Sequence, residues 1–297
     1  MSTWLRRLAS LCLPFLLFPA GEAGAQADPH HFMFNSGQTI QPFFEGWAHN
    51  PDGSFEMHFG YLNRNYVEEL HVPVGADNRI MPGGPDRGQP TYFYPRMSHL
   101  AFSVTVPADW GDRRLVWQVT VRDETYRAEG WLQPEWEIGA DPAGAFLASR
   151  ERVADNQPPT LTIDGQREAA VGATLVLTAR VSDDGLPEPR PRVGGGQGPL
   201  PTFEPTTDGF TVPVNVPQIQ RSVRKRPTRS QVDRVNVTWT QMRGPTGAEA
   251  RLVEENETEP ETTALALTFA SAGEYLFRVV ASDGPEQVTE DVSITVR

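Results

Sequence analysis

The residues that acid–base or metal chemistry would recruit are six histidines and a scatter of carboxylates. His49, His58, His71 and His99 lie in the same stretch as Glu45, Glu56, Glu68 and Glu69. A hydrolase of unfamiliar type would draw its histidine and glutamate from this set, with His58 and Glu68 the first to replace in a test, but the pattern assigns no catalytic residue. No two of these histidines stand one helical turn apart, so the compact spacing of a zinc site is missing. His30 and His31 are adjacent but lie near the start of the chain, where order is least expected. Asp183, Asp184 and Asp283 border loops, and carboxylates gathered at one end of a sandwich would hold calcium with backbone carbonyls, although no EF-hand loop occurs. No cofactor is expected, with calcium at Asp183, Asp184 and Asp283 the weak alternative. No Gly-x-Ser-x-Gly elbow, phosphate-cradling loop or dinucleotide fingerprint is present, and Gly194-Gly195-Gly196 reads as flexible linker.

Two loops are richer than a connection requires. Asn63-Arg64-Asn65 follows an aromatic run, and the Gly- and Pro-rich stretch 81–90 precedes Tyr92, Phe93 and Tyr94. Polar groups beside rings bind sugars or peptides, so Asn63, Arg64, Asn65, Tyr92 and Tyr94 are the candidate ligand-binding residues. Trp47 and Trp110 join the tyrosines as candidate stacking platforms for a glycan, against the preferred alternative that all four rings fill the core. The plainer alternative is that the asparagines cap a turn through side-chain to backbone bonds while the rings cover a sheet edge.

The elements that would position these residues are strands. Phe55, Met57, Phe59 and Tyr61 alternate with Glu56, His58 and Gly60, the period of two that gives a strand one buried face. Pro51-Asp52-Gly53 supplies turn chemistry for a hairpin back to 43–49. The alternation returns in Leu100 to Val106, Leu115 to Val121 and Tyr126 to Leu132, about six strands in all between Phe32 and Ile138. Further on, Leu161 and Ile163, Leu175 to Val181, Val235 to Gln241, Leu265 to Phe269, Tyr275 to Val279 and Val292 to Val296 repeat the pattern. No convincing 3.6-residue stripe appears, apart from a short candidate helix at 143–153. The expected fold is all-β: two β-sandwich domains, at 28–154 and 155–297, joined by Asp155-Asn156-Gln157-Pro158-Pro159, the second immunoglobulin-like with an insertion at 186–233.

The first residues read as a secretory signal over 1–27, with Arg6 and Arg7, an apolar stretch from Leu8 to Pro19, and the small-residue site Ala25-Gln26-Ala27. Pro14 and Pro19 interrupt the apolar stretch, which is shorter than the roughly 20 residues that span a bilayer. The chain contains one cysteine, Cys12, inside that signal, so disulfides and thiolate sites are not expected and a periplasmic or secreted destination is. With 26 basic and 38 acidic residues the formal net charge is −12, which repels nucleic acid and anionic lipid. Against this background the basic run Arg221, Arg224, Lys225, Arg226, Arg229 and Arg234 stands out. It suits an acidic polymer or the acidic surface of the first domain, or else a solvated loop, and the acidic run Glu254, Glu255, Glu257, Glu259 and Glu261 reads as a second solvated loop.

The stretch 158–184 joined to 234–297 resembles the PKD and REJ-type immunoglobulin-like modules of bacterial surface proteins. The residues carrying the resemblance are Val171-Gly172, Ser182-Asp183-Asp184-Gly185, Trp239-Thr240-Gln241, Gly244-Pro245, Ala272-Gly273-Glu274-Tyr275 and Ser282-Asp283-Gly284. It implies that Trp239 packs between sheets and that Tyr275 ties a corner. The departure is the length of 186–233. The run from Phe59 to Gly75, followed by that from Met81 to Phe93, makes residues 40–138 resemble an uncharacterised module of exported bacterial proteins, which implies no activity. The expected function is that of an exported non-catalytic cell-envelope or extracellular module that binds a protein partner or acts as a spacer. A carbohydrate-binding protein, with a polysaccharide partner, and a hydrolase remain the alternatives.

Overall fold

The computed structural model describes residues 34–138, 155–186, 225–232, 234–253 and 261–297. The expected signal, His30 and His31, the candidate helix at 143–153, Arg221, Arg224 and most of the acidic run lie outside the described residues. Phe34–Arg297 cluster as one compact unit.

The N-terminal half contains β1 (Ile40–His49), β2 (Phe55–Asn63), β3 (Leu70–His71), β4 (Asn78–Met81), β5 (Tyr92–Phe93), β6 (Arg96–Val106), β7 (Leu115–Val121) and β8 (Glu124–Gly130). One sheet has the order β1-β2-β6, a second the order β4-β7-β8, and β3 pairs with β5 in a short ribbon. The β1–β2 hairpin forms at the expected turn, where Gly53 takes φ 85° and Asp52 accepts the Ser54 N–H at 2.9 Å. The two larger sheets face each other across Phe44, Met57, Phe59, Phe102, Ile80, Leu115 and Trp117. Each such side chain contributes roughly 1.5–3 kcal/mol by leaving water. The polar end of the buried Trp117 is satisfied by donation to Asn78 Oδ1 at 3.0 Å. Both faces of β2 are covered, because Phe43 and Glu45 of β1 close over Gly60.

The C-terminal half contains β9 (Thr160–Gly165), β10 (Glu168–Ala169), β11 (Thr174–Ser182), β12 (Thr228–Val232), β13 (Val235–Arg243), β14 (Ala248–Leu252), β15 (Thr262–Phe269), β16 (Gly273–Ser282) and β17 (Gln287–Val296). Sheets of order β10-β17-β16-β13-β12 and β14-β15-β11-β9 enclose a core around Trp239, Leu177, Leu267, Phe277 and Ile294. This is the immunoglobulin-like sandwich. The Tyr275 hydroxyl donates to the Ser271 carbonyl at 2.8 Å, tying the corner between β15 and β16. The segment 186–233 is not wholly a connection: its end forms β12, an edge strand paired with β13 from Thr228↔Trp239 to Val232↔Val235. Arg229 therefore lies on a strand that is at the sheet edge among the described residues, and Lys225 just ahead of it is half-buried and paired with Glu69, so the reading of a purely solvated basic loop is corrected for these two, while Arg226 is exposed outside the strand.

The two sandwiches share a junction. Opposite β16, the register of β13 shifts between Gln241 and Arg243, and the extra residue, Met242, is buried in the core of the N-terminal sandwich. A bulge re-aims a side chain in this way without breaking the sheet. Around it Thr91 N–H donates to the Met242 carbonyl at 3.0 Å, Gln241 N–H to the Tyr94 hydroxyl at 2.9 Å, and Gly244 N–H to the Thr91 hydroxyl at 3.1 Å.

A cationic cleft between the sandwiches

A cavity of about 630 Å³ opens beside this junction. One wall is the outer face of the β12–β13–β16 sheet. Cross-strand register places Arg229 opposite Thr238, Thr238 opposite Val280, and Thr240 opposite Arg278. These side chains alternate with the core residues Val237, Trp239 and Val279, so period-two burial itself assigns them to the outside. The other wall comes from the N-terminal sandwich: Tyr92, Tyr94, Met97, His99 and Leu100. Lys225 and Arg226 close one end.

The β6 wall is irregular. Phe59 pairs with Phe102 but Tyr61 pairs with Ser98, so His99, Leu100 and Ala101 bulge out opposite Gly60 alone. Leu100 has φ 45°, a left-handed conformation that costs a residue other than glycine about 1–2 kcal/mol. Glu45 holds the bulge by accepting the Leu100 N–H and meeting His99 Nδ1 at 2.6 Å. The Phe43 ring meets the His99 ring edge-on at 5.8 Å.

Charge in the cleft is positive. Lys225 Nζ donates to Glu69 at 3.2 Å and lies 5.4 Å from the centre of the Tyr92 ring. Arg278 donates to both oxygens of Asp291, at 2.9 and 2.8 Å, and this bonding pushes its pKa up further. Arg226 and Arg229 are exposed, and no hydrogen bond or ion pair engages either guanidinium among the described residues. Burial pushes the Tyr61 hydroxyl up to about 12 and raises Tyr94 as well. It also raises Tyr92, with the nearby Tyr94 and the Glu69 carboxylate acting in the same direction. These phenols stay neutral. The cleft is thus equipped to hold an anion.

The expected ligand residues divide. Asn63 and Asn65 are buried and occupied with backbone: Asn63 Nδ2 donates to the Glu68 carbonyl at 2.9 Å, and Asn65 Oδ1 accepts the Gln38 N–H at 2.7 Å. Both are turn-holding groups. Arg64 is exposed, and its carbonyl accepts from Arg96 at 3.2 Å. Tyr92 and Tyr94 do line the cleft, but at 1% and 9% exposure neither offers an open ring face. Trp47 and Trp110 are buried and donate to the carbonyls of Gln133 at 2.8 Å and Arg113 at 2.7 Å. The stacking platform expected of these four rings is corrected accordingly, since a sugar needs an open ring face.

The structure also separates His58 from Glu68. Glu68 is held by Arg122 at 2.7 Å and by the Gly37 N–H at 2.8 Å. His58 is buried, its Nε2 without a hydrogen bond. Burial lowers its pKa, with Glu56 and Glu45 pulling the other way. Glu56 is engaged by the Ser103 hydroxyl. The acidic neighbours of His58 are therefore residues of its own sheet.

At the far end of the C-terminal sandwich Asp183, Asp184 and Asp283 do gather. Asp283 accepts from Asn156 Nδ2 and the Glu286 N–H, each at 2.8 Å. Asp184 accepts from Gln157 and Leu186, and Asp183 from Gly185 at 3.1 Å. Burial, reinforced by Asp283, raises the Asp183 pKa. Among the described residues no three His, Cys, Asp or Glu side chains are arranged to hold a metal, and no helix is long and apolar enough to cross a membrane.

No protein family matches the sequence, and no curated relative is found. Among solved structures the chain is similar to invasin, a bacterial integrin-binding protein, at 8% identity over 88% of this chain with a TM-score of 0.24. It spans 39% of the invasin chain. The D0-D1 domain of intimin matches at 11% identity over 86% of this chain and 100% of its own, with a TM-score of 0.22. The native conformation of E. coli alpha-2-macroglobulin matches at 10% identity over 88% of this chain and 17% of its own, with a TM-score of 0.25.

Proposed function

We propose that this chain is an exported, non-catalytic module protein of the cell envelope or extracellular space that binds a protein partner. Its C-terminal half would be a module of the PKD and REJ type, with the division between domains near residue 155. The observation that supports this reading is the junction. Met242 is borne by the C-terminal sandwich and buried in the N-terminal core, while Arg243 grips Asp86 across the boundary. Two modules locked in this way present one surface that neither has alone, which suits a rigid adaptor or spacer better than two beads on a linker.

The test is photocrosslinking in the native envelope with a photoreactive residue at Met97, which is 52% exposed at the cleft. A discrete protein adduct that is absent when the photoreactive residue stands at Arg251 supports the proposal. No adduct from any exposed position, with the purified chain strictly monomeric, overturns it.

A further inference from the structure

We propose that the cleft binds an extended, acidic peptide segment, laid across the outer face of β12, β13 and β16 beneath the β6 bulge. This rests on the partner-binding reading and names the chemistry of the partner.

Charge comes first. The chain carries a formal charge of −12, yet Lys225, Arg226, Arg229 and Arg278 converge on one cavity. Glu69 and Asp291 answer Lys225 and Arg278. Arg226 and Arg229 are left with exposed guanidiniums, whose planar forks match carboxylates in a bidentate way.

Shape agrees with charge. Roughly 300–1,000 Å³ is the usual size of a ligand cleft, and about 630 Å³ is present here. Between the guanidiniums the Thr238 and Thr240 side chains stand on the outer face of β13 to meet polar groups, and Met97, Ala101 and Val280 add apolar contact for the side chains between the acidic ones.

A peptide is favoured over an acidic glycan for two reasons. Tyr92 and Tyr94 show no open face on which a sugar ring stacks. In addition, β12 pairs only with β13 and β6 only with β2 among the described residues. The β6 segment that borders the cleft therefore has an edge without a strand partner among the described residues, and its backbone groups can pair with an extended chain lying on the β12–β13–β16 face.

Fluorescence anisotropy of the purified chain tests this, using a fluorescein-labelled peptide of alternating glutamate and valine, its glutamine counterpart, and polygalacturonate as competitor. The glutamate peptide binds at low salt and weakens as salt rises. Affinity falls at least tenfold in R226E/R229E, falls less in R226Q/R229Q, and is unchanged in R251E. An unchanged melting temperature confirms that the variants fold. The inference is overturned if the peptide does not bind, if the glutamine peptide binds equally, if R226E/R229E binds as well as the parent, or if polygalacturonate binds where the peptide does not. A crosslinked partner at Met97 that persists in R226E/R229E would leave partner binding standing while removing the acidic chemistry. Absence of both signals removes the two together.

Discussion

Arg243 and Asp86, 157 residues apart in sequence, meet in a bidentate ion pair with N···O distances of 2.8 and 2.7 Å. Arg243 also donates to the Gln89 carbonyl at 3.2 Å, so one guanidinium clamps the whole Gly- and Pro-rich loop against the C-terminal sandwich. Asp86 is half exposed, which limits the pair to about 1 kcal/mol or less. A double-mutant cycle with Asp86→Asn and Arg243→Met in urea should return a coupling energy of that size. Bonding to Arg243 holds the Asp86 carboxyl below its ordinary 3.8. The contribution is then complete above that value and disappears as pH falls through the lowered one, so the coupling should vanish in acid.

Met242 makes the stronger prediction. Truncation to Ala opens a cavity in a core to which its own sheet does not belong, at a cost of about 2–5 kcal/mol. Met242→Asp should go further and uncouple the two halves. Calorimetry of the parent is expected to show one cooperative endotherm, and that of Met242→Asp two. Two endotherms in the parent would mean that the junction does not couple the sandwiches.

How far the chain could be read in advance follows from this junction. β11, β15 and β17 were legible because residues two apart share a face, and the structure buries the expected side chains along each, whereas β2 buries His58 and Gly60 as well as Met57, Phe59 and Tyr61 because β1 covers its second face. Trp239 and Tyr275 took the packing and corner-tying places their landmarks implied. β12 escaped notice because Thr-Arg-Ser-Gln-Val is an edge strand with one buried end, and its alternation is weak. Met242 is apolar but out of phase with Val235, Val237 and Trp239, which a bulge explains and a regular strand does not. The cleft was illegible for a different reason. Its walls come from 90–101, 225–229, 238–242 and 278–280, and no local pattern records that these segments meet.

His58 yields a pH prediction. Its buried Nε2 has no partner, and burial holds its pKa below the ordinary 6.5. The unfolded chain takes up the proton first as pH drops, so stability is full above 6.5 and declines below it until the folded form is protonated as well. Glu56 and Glu45, which pull the other way, set how far the window extends. Urea midpoints for the parent should therefore fall between pH 7.5 and pH 5. His58→Phe should flatten that slope and, by removing an orphaned polar atom worth about 1–3 kcal/mol, lose little at neutral pH. An identical slope in the variant would assign the acid sensitivity to another group.

Gly60 is the hinge on which the β6 wall depends. A Cβ there would stand 2.5 Å from Phe43 Cε2 and 2.7 Å from Glu45 Oε2, distances that force the ring or the carboxylate to move. Glu45 is also the group that meets His99 and accepts the Leu100 N–H, so displacing it releases the bulge that lines the cleft. Gly60→Ala should cost about 1–3 kcal/mol by overpacking. Its effect should extend beyond stability: the His99 ring resonances should shift in NMR spectra, and the affinity for the acidic peptide should fall. Phe43→Ala in the same background makes room for the new methyl group and should recover part of both losses. Without that recovery, the strain would lie somewhere other than the contact between Gly60, Phe43 and Glu45.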